Sequence, residues 1–280
     1  MATVTTRSAA APAVARSLSP QDTKKLLHLI RNSKSIELKV SVPMAEHRAT
    51  VASIGLDPIE AEPRQVYFFD TADQALNRAG LIVRARRIQG GSADTVVKLR
   101  PVDPAMIDAE LKRSEAFKVE VDAMPGGFFV CSASYKGVAT GQEVLDVTEG
   151  RMPLRKLFSR EQLAFYDAHA PKGIDMNSLL AQGPILLLKV KHQPKDFKRG
   201  ITAEVWAWKD GKHILEISTT CEPEEAFRVG MEFKTFLAGH GIDLEAKQET
   251  KTKTAMQKFK AEREKRRPAR NAGKAARQPA

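Results

Sequence analysis

Charged residues recur at every second position in seven short segments of this 280-residue chain, and no other feature constrains the fold as much. The segments are Glu37-Leu38-Lys39, Arg84-Ala85-Arg86, Lys98-Leu99-Arg100, Lys118 through Asp122, Lys189-Val190-Lys191, and the surroundings of Glu204 and Glu216. Side chains alternate faces along a strand, so residues at i and i+2 share one face. The intervening residues, among them Leu38, Ala85, Leu99, Val119, Val121 and Val190, make the other face apolar. A single strand of this kind sends its polar face to water. Seven of them, rich in Arg and Lys, point to a closed barrel with a charged lumen and an apolar outside covered by helices.

The length suits one large β-rich domain or two small ones, and a hydrophobic content of 42% suffices for a core. No apolar stretch approaches the roughly 18 residues of a spanning helix, so the expectation is a cytoplasmic protein with no membrane association. Cys131 and Cys221 lie far apart without metal-ligand spacing and read as reduced thiols.

The net charge of +11 is unevenly spread. Residues 258–280 hold nine Lys or Arg against two Glu, a net of +7, which leaves +4 for the rest. With almost no large apolar residues, this stretch reads as a basic disordered tail that contacts nucleic acid or polyphosphate, or simply keeps the chain soluble. Residues 1–20, rich in Ala, Ser and Thr, read as a disordered arm. Residues 21–257 then form the folded domain, with a strand core over about 35–220 and a helical insert over about 140–180.

Ser19-Pro20 opens a helix through about Arg31. Strands follow at 35–42, 65–70, 81–88, 94–100 and 117–122, the third and fourth paired as a hairpin around Gly90-Gly91-Ser92. Three more, PILLLKVKH, ITAEVWAW and KHILEIST, lie beyond the insert, the last two joined through Asp210-Gly211. Glu224–Gly239 reads as a helix. The total is about eight strands, enough to close a barrel that holds side chains or one small ligand. The six histidines show no metal spacing, Gly90-Gly91 lacks the Gly-Lys-Ser/Thr of a phosphate loop, and no serine has evident His and acid companions.

YFFDTADQALNRAGLIVRARR at 67–87, SIELK at 35–39 and the ordered series Arg-x-Arg, Lys-x-Arg, Glu-x-Asp, basic strand, two acidic strands resemble the CYTH proteins, the triphosphate tunnel metalloenzymes, over about residues 35–253. The resemblance implies an α+β fold built on a closed eight-stranded antiparallel β-barrel, the triphosphate tunnel, with flanking helices. It also implies a small triphosphate or polyphosphate ligand. Carried over by position, Lys39, Arg84, Arg86, Lys98, Arg100, Lys189, Lys191 and Lys253 would bind phosphate, with Lys251 an equal candidate for the last role. Glu37, Glu120, Asp122, Glu204 and Glu216 would hold Mg²⁺ or Mn²⁺, and Lys39 and Glu37 would act on the reacting group. Ser35 and Ser218 stand where the family pattern carries acids, which thins the metal shell.

Those cations with Lys118, and without the late lysine, number eight against five carboxylates, an excess of about three. A divalent ion raises it to about five, close to the roughly −4 to −5 of a triphosphate. The expected function is metal-dependent hydrolysis of inorganic, nucleoside or thiamine triphosphate. The alternatives are an adenylyl cyclase, with Trp206 and Trp208 as base-stacking candidates, and a non-catalytic polyphosphate- or nucleotide-binding module.

Overall fold

The computed structural model describes residues 19–248 and 250–275, with side chains to Lys265. The chain starts with helix α1, Pro20–Arg31, where the Asp22 N–H donates to the Ser19 hydroxyl at 3.1 Å and Pro20 fills the first helical position. The arm expected over 1–20 lies outside the described residues up to position 18; Ser19 and Pro20 already belong to this helix.

The barrel has nine strands, not eight: β1 Ser35–Val42, β2 Glu62–Asp70, β3 Leu81–Ile88, β4 Ser92–Leu99, β5 Phe117–Met124, β6 Phe128–Thr140, β7 Leu180–His192, β8 Ile201–Ala207 and β9 His213–Cys221. They close in the order β1-β5-β6-β4-β3-β2-β7-β8-β9. The barrel is also mixed rather than antiparallel, because β1 runs parallel to β5 with Glu37 beside Asp122. The strand missing from the sequence reading is β6. Its alternate residues Ser132 and Ser134 are hydroxyls where neighbouring strands carry charge, so it lacks the pattern that marked the others. The β3–β4 hairpin forms as expected, in register from Leu81 opposite Leu99 to Arg87 opposite Ala93. Gly90 and Gly91 turn it at φ +97° and +106°, values that favour glycine.

Outward-facing Val83, Ala85, Val97, Val119 and Val121 are at most 1% exposed in the main core. Helices α2 His47–Ile54, α3 Ala75–Arg78, α4 Ala109–Arg113, α5 Gly141–Thr148, α6 Arg160–His169 and α7 Ala226–Gly239 flank the barrel. Gln162, fully buried on α6, fixes that helix to the wall. Its amide donates to the carbonyls of Thr95 and Tyr135, both at 3.2 Å, and its oxygen accepts from the Thr95 hydroxyl at 3.0 Å. Gly137 permits this approach, since a Cβ there would lie 2.5 Å from the Gln162 oxygen. Cys131 and Cys221 are buried free thiols, pushed up to about 12 and about 11 chiefly by burial.

A second apolar cluster fills one part of the barrel interior. Val66, Phe68, Ile185, Leu187 and Trp206 pack beneath Ala255, Met256 and Phe259 of helix α8, Lys251–Ala275. The domain boundary expected at 257 therefore falls within a helix. Phe259 is 8% exposed with its ring 6.2 Å from that of Phe68, and Lys258 pairs with Asp210 at 2.5 Å. The residues just past 257 thus belong to the barrel rather than to a disordered tail. Residues 276–280 lie outside the described residues, as do the side chains from 266. Among the described residues no helix is long and apolar enough to cross a membrane.

Candidate anion site in the barrel lumen

The alternation of β1, β3, β4, β5, β7 and β8 delivers its charges to one cavity of about 710 Å³. Glu37, Lys39, Arg84, Arg86, Lys98, Arg100, Glu120, Asp122, Lys189, Lys191 and Glu204 all line it, as does Lys118. Glu216 sits just behind, 3% exposed and in contact with the lining residue Lys251. Lys253 does not join them. It lines an outer groove with Met124 and Phe128, whereas Lys251, the other candidate, lines the lumen. One further lumen charge escaped the sequence reading: Lys136, on the unrecognised β6. Asp94, on β4, holds Arg86 Nε at 2.8 Å.

The carboxylates form two groups. In the first, oxygens of Glu37, Glu120 and Asp122 all lie within 4.8 Å of one another. Lys39 Nζ sits 2.6 Å from Glu37 Oε2 and 2.8 Å from Asp122 Oδ1, while Arg100 lies 3.1 Å from Asp122 Oδ2. Burial alone would push the Asp122 carboxyl up, but Lys39, Lys98 and Arg100 hold it well below its ordinary range. Burial likewise opposes the charge on Lys39, yet Glu37, Glu216 and Asp122 raise its pKa above the usual lysine value. Ser35 donates to Glu120 Oε1 at 3.4 Å. Three converging hard oxygen donors suit a hard divalent cation, with Lys39 occupying the same carboxylates.

In the second group, Lys251 bridges Glu204 at 2.5 Å and Glu216 at 2.6 Å. Burial raises the Glu204 carboxyl, but Lys251 and the Trp206 indole N–H, donating at 3.1 Å, outweigh it and bring it to about 2. Glu216 goes the other way, raised by burial. Trp206 is 2% exposed with Lys251 5.4 Å above its ring, and Lys258 stands 5.0 Å over the Trp208 ring. Both indoles pack in the wall beneath a cation.

A third set of groups lacks a direct ion-pair partner. Arg84, Lys98 and Lys189 make no ion pair among the described residues, and Arg84 Nε is buried without a hydrogen-bond partner. Burial pushes the Arg84 guanidinium down to about 10, with Arg86 adding to the effect. Lys98 and Lys189 are lowered by the same cause. Buried charges are costly unless paired, so a lumen holding unpaired cations is suited to an anion.

One constellation outside the lumen was not visible in sequence spacing. Ser53 Oγ lies 2.8 Å from His240 Nδ1, and His240 Nε2 lies 3.0 Å from Asp196. The two contacts tie α2 and α7 to the β7–β8 connection at the surface.

Two solved structures share this architecture. A candidate adenylate cyclase from Bacillus halodurans is 14% identical, with a TM-score of 0.56 over 79% of this chain and 97% of that one. HpAC1 from Hippeastrum, a candidate adenylyl cyclase with a dominant triphosphatase activity, is 17% identical, with a TM-score of 0.56 over 80% of this chain and 95% of that one. No family model and no curated protein matches the chain. At these identities the likeness establishes the fold, which is the CYTH or triphosphate tunnel fold.

Proposed function

We propose that the lumen binds the triphosphate group of a small molecule and hydrolyses it with the help of Mg²⁺ or Mn²⁺. The observation that carries this reading is the set of unpaired cations Arg84, Lys98 and Lys189 in the same cavity as the carboxylates Glu37, Glu120 and Asp122. Arg84 and Arg86 offer planar forks for phosphate oxygens, and the lysines offer point charges. Glu37, Glu120 and Asp122 would hold the metal, which when bound neutralises phosphate charge and polarises the phosphoryl oxygens. Glu37 is held below the usual carboxylate range because Lys39 and Lys251 outweigh its burial, so it stays ionised and can orient a water. Lys39, fixed between Glu37 and Asp122, is placed to contact a phosphate oxygen beside them. Transfer of a phosphoryl group to water needs little beyond this positioning and charge neutralisation.

The positions of the two tryptophans favour hydrolysis over cyclisation, because Lys251 and Lys258 cover the rings that would stack a base. The decisive assay is phosphate release from inorganic triphosphate, ATP and thiamine triphosphate, with and without Mg²⁺ or Mn²⁺. Release that needs metal and is lost in Arg84→Ala supports the reading. Binding of triphosphate without release under any metal would make the protein a binding module, in keeping with Ser35 and Ser218.

A further inference from the structure

We infer that His47 and His213, with Glu46 beside them, form a metal site at the rim of the barrel, suited to a borderline transition ion such as Zn²⁺. None of the three lines the lumen, and the inference does not depend on what the lumen binds.

Three elements bring these groups together. Strand β1 ends at Val42, and the short turn Met44–Glu46 leads into α2, which begins at His47. That turn packs against β9, whose first residue is His213. The two imidazoles, far apart in sequence, have ring centroids 4.9 Å apart at an interplanar angle of 58°. A tetrahedral ion with metal–nitrogen bonds of about 2.0–2.1 Å sets two imidazole centroids about 5 Å apart, so the pair already has the required spacing.

The hydrogen bonds determine which nitrogen of each ring is left over. A carbonyl oxygen can only accept, so His47 Nε2, 2.9 Å from the Val42 carbonyl, carries a proton and donates. In the neutral ring Nδ1 then keeps its lone pair, and this atom is buried without a hydrogen-bond partner in a residue only 8% exposed. His213 shows the same arrangement with the nitrogens exchanged. Its Nδ1 donates to the Gly211 carbonyl at 3.3 Å, and its Nε2 has no protein partner among the described residues. A ring that gives one N–H to a backbone carbonyl and keeps the other lone pair is prepared in the way of a metal-ligating histidine.

Glu46 supplies the third ligand. Its Oε2 is also buried without a partner, and Glu46 precedes His47 in the chain. An orphaned carboxylate oxygen and an orphaned imidazole nitrogen each carry an unmet cost of burial, and one cation relieves both. The three donor atoms are not gathered as closely as those of Glu37, Glu120 and Asp122, so the ion draws the flexible Glu46 side chain in. Two imidazoles and one carboxylate select Zn²⁺ or a neighbouring first-row ion over Mg²⁺, which prefers oxygen ligands alone. A bound ion ties the connection after β1 to the first residue of β9, and so clamps the seam between those two strands.

The test is calorimetric titration of the full chain, first stripped with a chelator, with ZnCl₂ in excess Mg²⁺ to occupy the lumen carboxylates. One equivalent of Zn²⁺ should bind despite the Mg²⁺. His213→Gln should weaken it by at least about a hundredfold, since loss of an outer hydrogen-bond partner alone can cost that much. Co²⁺ in place of Zn²⁺ should give the visible absorption of a tetrahedral site with nitrogen ligands, lost in His213→Gln and kept in Glu37→Gln. Circular dichroism of the metal-free variants checks that they fold. A second measurement needs no variant: Zn²⁺ should shield His213 of the wild type from diethyl pyrocarbonate, read by mass spectrometry with His28 and His192 as internal references. Absence of Zn²⁺ binding in Mg²⁺, or His213 modified equally with and without Zn²⁺, overturns the inference. Binding lost in Glu37→Gln and kept in His213→Gln also overturns it, because the ion then lies in the lumen.

Discussion

The ammonium of Lys251 lies 2.6 Å from the carboxylate of Glu216, so the last helix of the chain neutralises a buried acid on the last strand. The same ammonium lies 2.5 Å from Glu204. Removing it leaves two carboxylates facing one another on adjacent strands, in direct register.

Lys251→Met should therefore destabilise the fold by about 3–5 kcal/mol at neutral pH, the range for breaking a buried pair by deleting one partner. Glu216 is already raised by burial, and loss of Lys251 raises it further. A carboxyl whose folded pKa exceeds its unfolded one binds more protons when folded, so the penalty shrinks as pH falls through the raised value. Urea unfolding of wild type and variant at neutral and mildly acidic pH checks the sign. A penalty that grows on acidification would refute it. Adding Glu216→Gln to the variant should recover part of the loss.

Arg84 predicts the opposite signature. Its charge is buried without a partner, so Arg84→Met should leave the free protein as stable or raise its stability by about 1 kcal/mol. The same change should weaken triphosphate binding by about 1.5–3 kcal/mol, a ten- to hundredfold loss. Thermal unfolding and calorimetry together check both halves. A variant that loses stability and binding alike would show that Arg84 is a structural group.

Triphosphate should stabilise the wild type. A ligand that binds only the folded state at a thousandfold excess over its Kd contributes about 4 kcal/mol. Each kcal/mol moves Tm by roughly 2–4 °C at this size, so the shift is on the order of ten degrees. Orthophosphate at matched ionic strength should do little. Equal small shifts with triphosphate, orthophosphate and chloride would mean there is no preorganised site.

His47 supplies a pH dependence unrelated to the lumen. It is 8% exposed, its Nε2 lies 2.9 Å from the Val42 carbonyl, and its ring centroid is 4.9 Å from that of His213. Burial lowers its pKa, so the neutral form is favoured in the fold. Its contribution is complete above the unfolded value of about 6.5 and is lost as pH falls towards the lower folded value. Chemical denaturation across this interval should show a slope that His47→Gln flattens.

The charged lumen was legible because a strand shows its face every second residue, and Arg84, Arg86, Lys98 and Arg100 occupy the faces this periodicity assigns. Strand β6 was hidden because Ser132 and Ser134 carry no charge. The parallel pairing of β1 with β5 was hidden because alternation says nothing about strand direction. Lys251 and Lys253 were inseparable as an extended motif. On a helix two positions differ by about 200°, which sends one into the lumen and the other to the outer groove. The apolar part of the interior left no charge signal, since Val66, Phe68 and Trp206 fill it with apolar groups. The docking of α8 was hidden as well, because Phe259 is the one large apolar residue in a basic stretch whose composition otherwise suits disorder.

Closure of the barrel rests on β1 lying between β5 and β9, with Ile36 opposite Cys221. These partners are separated by most of the domain's sequence, so the final seam joins only after the other strands have assembled. Until then the lumen cations face an open, hydrated trough. Their mutual repulsion is felt mainly as the seam shuts, which makes this electrostatic barrier a property of the last folding step. Added salt should therefore speed refolding more than it alters unfolding, and stopped-flow kinetics at graded ionic strength would show which limb responds.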